Sequence, residues 1–265
     1  MTFIYPVQNA DQVNVQGKTL VVPVVSVANI GQLAVDLLIA TFDLRRFAIL
    51  DPQYCIPLAG ARDDSQAGVT TPLEIYGNNK VDFVVIQQRS PVLKLRKQDY
   101  VDSLLDFIKT YKFGAVLFLG GVDLSDRTDS QMMTPTHKLL APNGPSLQDT
   151  GLTNLQSLPI PTYTSRARQV PEGLKDTALL NNDPSLPFIP GGGLTRRILG
   201  SLPSEWSIPT ASLLQFVIEG DNRLDAGLFA SVVIKVLGQD VVQLKQPESW
   251  RDGLFGTPHD QSLYG

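Results

Sequence analysis

Residues 20–42, LVVPVVSVANIGQLAVDLLIATF, decide the fold class. Leu20 to Val25 is a short, β-branched apolar run of the kind that forms a strand buried on both faces of a sheet. Pro23 inside it predicts an edge position or a bulge, because proline has no N–H to donate to a ladder. Immediately afterwards Ile30, Leu33, Ala34, Leu37 and Leu38 recur at i, i+3, i+4, i+7 and i+8, the stripe of a helix with one buried face. Ser26 or Asn29 is placed to cap that helix. A buried strand feeding an amphipathic helix opens an α/β layer structure.

The alternation recurs downstream. RFAIL at 46–50 reads as a strand, and LEIYG and VDFVVIQ flank Asn78-Asn79 as the arms of a hairpin. Asp99 to Tyr111 is helical, with Val101, Leu104, Leu105 and Ile108 on one face, and AVLFLG at 115–120 is a further buried strand. LPFIP at 186–190 runs through a glycine turn into the short helix LTRRILGSL. ASLLQFVIEG is short enough for strand or helix, its Phe-Val-Ile ending and the Gly220 stop favouring a strand, and Asp221 or Asn222 caps a helix over 225–237 that carries Leu228, Val232 and Val233. Between them the texture changes: SDRTDSQ, PNGPSLQDTG and NNDPS are loop chemistry with little apolar periodicity. The expected organisation is an N-terminal segment 1–18, an α/β domain 19–245 with a peripheral, partly disordered excursion at 121–185, and a tail 246–265.

Composition narrows the function. With 43% hydrophobic and 18% charged residues the chain is globular, and a net charge of −4 argues against nucleic acid as the main ligand. The single cysteine, Cys55, excludes an intrachain disulfide framework or a cysteine zinc site and fits a reducing compartment. The N-terminus lacks a basic n-region followed by an apolar stretch, and runs such as TLVVPVVSV fall short of the roughly 20 residues of a membrane span. A soluble chain of the cytoplasm or nucleus is expected.

A search for chemistry is nearly empty. Pro190-Gly191-Gly192-Gly193 lies between strand and helix, where backbone amides can meet a phosphate, but Arg196 stands where a dinucleotide fingerprint needs its third glycine. The alternative is a tight turn with close strand–helix packing. His137 in the excursion and His259 in the tail are far apart and outside the expected core. Cys55 reads as buried filler, and the acidic pairs Asp63-Asp64 and Glu219/Asp221 read as turn and cap residues. No enzyme, cofactor or metal is expected.

Four stretches carry a resemblance: VVPVVSVANIGQLAVDLLIAT, FIPGGGLTRRIL, IEGDNRLDA and PESWRDGLFG. Together they resemble the proteasome assembly chaperone 2 family, over roughly residues 19–256. The resemblance implies a three-layer αβα domain similar to the nucleoside phosphorylase-like fold without its catalytic site. It also implies a heterodimer with proteasome assembly chaperone 1, binding the α-ring of the 20S proteasome core particle to promote correct assembly and block off-pathway association. Such chaperones often end in a hydrophobic-Tyr-any motif that enters a pocket between α subunits, and Leu263, Tyr264 and Gly265 match it. The rival reading is an enzyme of the same fold that uses the Gly191–Gly193 turn for phosphate.

Overall fold

A computed structural model describes residues 3–8, 10, 12–63, 68–142, 144–165, 186–251, 253 and 254. Its strands are β1 (Ile4–Pro6), β2 (Thr19–Pro23), β3 (Arg45–Leu50), β4 (Leu73–Gly77), β5 (Phe83–Gln88), β6 (Ala115–Asp123), β7 (Thr136–Leu140) and β8 (Thr210–Val217). The helices are α1 (Ile30–Thr41), α2 (Lys97–Thr110), α3 (Asn154–Ser157), α4 (Gly193–Gly200) and α5 (Arg223–Val236). The strands form one mixed sheet in the order β1-β3-β4-β5-β2-β6-β8-β7. Its centre is parallel, β5-β2-β6-β8, and its flanks are antiparallel.

The continuous apolar character of β2 follows from its place. Side chains alternate across a strand, so Leu20 and Val22 enter the core beneath α2 and α4 while Val21 enters the core beneath α1 and α5. Both faces are covered, giving helices, sheet and helices in three layers. Buried apolar side chains such as Phe83, Phe118, Tyr100 and Phe229 fill the two interfaces.

Pro23 departs from expectation. It occupies neither an edge nor a bulge but the last position of a central strand, paired to Leu119 of β6. The ladder to β5 stops earlier, at Val21 opposite Val85, so no donor is asked of the proline on that side. The β4–β5 hairpin forms as read, with Leu73 opposite Gln88 and Tyr76 opposite Val85.

Three parts of the chain read as peripheral belong to the body. The N-terminal segment supplies edge strand β1, pairing Ile4 with Leu50, and Phe3, Val13 and Val15 pack on the core. In the excursion, β6 runs on to Asp123 and β7 closes the far edge against β8, with Leu147, Leu152, Leu155 and Tyr163 buried. Isolated apolar residues in turns carried no period from which burial could be read. Residues 166–185 lie outside the described residues. At the other end, Trp250 is buried against the α1–α5 layer, so the body continues past residue 245.

His137 is likewise corrected from surface to core. It sits on β7 opposite Leu214, buried edge-on to the rings of Phe216 (5.4 Å) and Tyr163 (6.5 Å). Burial, with the charge of Arg127 nearby, holds its imidazole below the usual 6.5. The unfolded chain therefore takes up a proton near pH 6.5 that the folded chain refuses, so stability is greatest above 6.5 and is lost as pH falls below it. In urea unfolding, acidification from neutral pH is expected to destabilise the parent more than a His137→Gln variant. Equal losses for the two proteins would show that His137 does not govern this slope.

Candidate functional site

In open α/β sheets, ligands bind beyond the carboxyl ends of the parallel strands. Here that crest gathers the β2–α1 turn, the end of β6, the residues after β8 and the glycine turn before α4. The β2–α1 turn is unusual: Ala28 (φ 56°) and Asn29 (φ 50°) are consecutive left-handed residues without being glycine. Such backbone costs about 1–3 kcal/mol per residue unless its surroundings enforce it.

The surroundings do so by close approach. A Cβ on Gly121 would lie 2.5 Å from the Val27 carbonyl oxygen, and one on Gly191 would lie 2.3 Å from Val27 Cγ2. Val27 is thus held between β6 and the turn before α4. Gly191 is itself left-handed (φ 73°), a conformation that glycine adopts without penalty. Gly191 and Gly192 therefore have a packing reason, a Cβ on Gly192 meeting Ile189 Cγ2 at 2.3 Å, whereas one on Gly193 meets open space; the Gly192 amide is spent on the Ile189 carbonyl (3.0 Å).

Neither Ser26 nor Asn29 caps α1 through its side chain. Asn29 makes no cap hydrogen bond, and the Ser26 hydroxyl accepts from the Gly121 N–H (2.7 Å) while donating to the Val24 carbonyl (3.0 Å). Instead the Glu219 carboxylate accepts from the Ala28 N–H at 2.8 Å. The chain places its own anion at the crest, where a phosphate-binding protein would receive one. No local signal revealed this, since the partners are 191 residues apart.

The other candidate residues are in structural service. Asp221 pairs with Arg223 (2.6 Å), and Asp63 accepts from the Ser249 backbone N–H (3.2 Å) and hydroxyl (3.0 Å). Asp64 lies outside the described residues, as do His259 and the terminal Leu263, Tyr264 and Gly265. Cys55 is buried, and burial pushes its thiol up to about 12, which leaves it unreactive.

What the surface offers instead is apolar. On α5, Leu224 is 85% exposed and Leu228 58% exposed, one turn apart, and nearby in sequence Ile218 is 66% exposed. Leu228, read from the sequence as part of the apolar set of this helix, faces solvent, because Ala226, Phe229, Ala230 and Val233 already fill the inner side. At the β6–β7 connection Met133 is 90% exposed beside Met132. Exposed apolar residues in groups mark interaction surfaces.

The model of the PAC2 family matches residues 20–184, more than half of the chain. The chain belongs to the PAC2 family. Proteasome assembly chaperone 2 of Homo sapiens is 30% identical over 264 residues, covering 94% of this chain and 95% of that protein. Its Xenopus laevis counterpart is 30% identical over 250 residues, covering 90% and 92%. Among solved structures, Pyrococcus furiosus PbaA, an archaeal homolog of proteasome-assembly chaperone, superposes with a TM-score of 0.62 at 16% identity, covering 91% of this chain and 84% of that one. Pyrococcus furiosus PbaB, an archaeal proteasome activator, gives a TM-score of 0.58 at 15% identity over 91% of each chain. At such identities the two structures establish a shared fold. This PAC2-family member has that fold with its crest closed by its own backbone and by Glu219.

The closure is testable by mutation. Gly121→Ala drives a Cβ into the Val27 carbonyl and is expected to cost about 1–3 kcal/mol. Glu219→Ala strands the Ala28 N–H and is expected to cost about 1–3 kcal/mol. Because both act on one turn, the double variant should lose less than the sum. A Gly121→Ala protein with the parent's unfolding midpoint would show that the turn is not gripped.

Proposed function

We propose that this chain is a proteasome assembly chaperone, a binding protein rather than an enzyme, acting in the cytoplasm and nucleus. It pairs with proteasome assembly chaperone 1, and the heterodimer engages the α-ring of the 20S core particle during its assembly. The observation that carries this reading is the near end-to-end match to a relative named Proteasome assembly chaperone 2, at 94% of this chain and 95% of the relative. The grouped apolar side chains at Leu224, Leu228 and Ile218, and at Met132 and Met133, support it, since a chaperone of this kind works through protein surfaces. The Glu219 carboxylate at the crest argues against the rival phosphate-using enzyme, because it repels a second anion there.

Within this reading Leu263, Tyr264 and Gly265 form the contact that enters a pocket between α subunits. Burying the Leu263 side chain stabilises such a contact by about 1.5–3 kcal/mol, and the Tyr264 ring adds area and a hydroxyl for the pocket rim. A short motif on its own binds weakly, so affinity arises from tethering it to a body already on the ring. The test measures binding of the intact heterodimer to purified core particle. Leu263→Ser and Tyr264→Ala are each expected to weaken it about tenfold or more. Parent-like affinity in both variants would remove the motif from the mechanism. Failure of the parent itself to bind any proteasomal particle, with or without its partner chain, would overturn the chaperone assignment.

A further inference from the structure

One cleft lies apart from the crest and the α5 stripe. It opens between edge strand β1 and the outer side of α2, with a volume of about 490 Å³, and is lined by Phe3, Ile4, Tyr54, Asp106, Phe107 and Tyr111 among others. That volume is in the range of small-ligand clefts, roughly 300–1,000 Å³. Phe107 on α2 and Tyr111 at its C-cap are four residues apart and their rings pack with centroids 4.9 Å apart, while Asp106 lines the same cleft. Phe3 reaches across from the start of β1 to within 5.5 Å of the Phe107 ring. Four aromatic rings therefore line one concavity.

The one charged group among the lining residues is unspent. Asp106 makes no hydrogen bond or ion pair among the described residues, whereas Asp99 pairs with Arg96 and Asp102 accepts from Gln98. Aromatic faces carry negative potential, and beside a free carboxylate they attract a cation. The adjoining surface already shows this chemistry, because the Arg96 guanidinium lies 4.8 Å from the centroid of the Tyr54 ring. A guanidinium suits the cleft better than an ammonium: it stacks on rings through its plane and meets a carboxylate through its fork.

We infer that the β1–α2 cleft is a recognition site for an arginine side chain of a partner protein, with the rings of Phe3 and Tyr111 as its walls, the buried Phe107 ring as its floor and Asp106 as its counter-ion. The site is independent of the terminal motif and of the identity of the ring proposed above. Asp106 is exposed on α2, so its replacement by Asn leaves the fold intact while removing the charge.

The test titrates the full chain, with NMR-labelled aromatic residues, with Nα-acetyl-arginine amide. Parallel titrations use the uncharged citrulline analogue and the apolar norleucine analogue. The arginine probe is expected to shift the Tyr111 and Phe3 ring resonances saturably and to bind at least about fivefold more tightly than either analogue. Asp106→Asn and Tyr111→Ala should each weaken the arginine probe by about fivefold or more, and added salt should weaken it further. Equal binding of the norleucine analogue would make the cleft merely apolar. Undiminished binding by Asp106→Asn, or no shift at these rings, would overturn the inference as well.

Discussion

The turn at Val27–Asn29 is the constraint around which the rest of the molecule is arranged. Two left-handed, non-glycine residues in succession are unfavourable alone, and three independent groups hold them. Gly121 lets the β6 backbone approach the Val27 carbonyl, Gly191 admits the Val27 side chain, and Glu219 takes the Ala28 N–H. Those groups come from β6, from the approach to α4 and from the end of β8. The direction in which α1 leaves the sheet is therefore set jointly by three distant segments, and α1 in turn provides the surface on which α5 packs.

A second constraint ties α1 to the antiparallel flank. Asp36 on α1 accepts from Arg89 (2.8 Å) and from the Gln87 amide (2.7 Å), and Gln87 also donates to the Gln32 carbonyl (3.0 Å). Burial pushes the Asp36 carboxyl above its ordinary range, and the facing Arg89 guanidinium pulls it back. Next to it Glu74 accepts from the Tyr76 hydroxyl (2.8 Å) and from Arg46 and Thr71, so the β4–β5 hairpin carries a polar interior within an apolar sheet. Pairs of this kind add little net stability, but removing one partner strands the other in a dry environment. Their effect here is to fix the register of the hairpin against α1.

Together the two constraints set how α1 is seated on the sheet. At the carboxyl ends of the parallel strands, the Val27–Asn29 turn is packed against Gly121 and Gly191 and held by the Glu219 carboxylate. The outer surface carries an apolar stripe on α5, the methionines at the β6–β7 connection and the aromatic cleft beside α2. Such surfaces suit protein partners, in keeping with the PAC2 relatives.

Local sequence alone determined much of this. The stripe of α1 follows from local apolar spacing, β2 from a short β-branched run, and the hairpin from Asn78-Asn79 between apolar arms, while β8, open to either reading by spacing, was tilted to strand by its Phe-Val-Ile ending and Gly220. The inert character of Cys55 was also legible, from its apolar neighbours. Tertiary structure alone decided the rest. β1 and β7 are short edge strands whose partners lie far away in sequence, and His137, Leu152 and Trp250 are buried one at a time without any repeat to announce them. Pro23 is tolerated in a central strand only because its neighbour's ladder ends first. The start of α1 was misread for the same reason: Ser26 and Asn29 have capping chemistry, but the chain turns left-handed there, neither side chain caps the helix, and the preceding turn is held by Glu219 from 191 residues away. Spacing reports which side of an element is buried. Which groups meet across the fold is settled by the packing that brings them together.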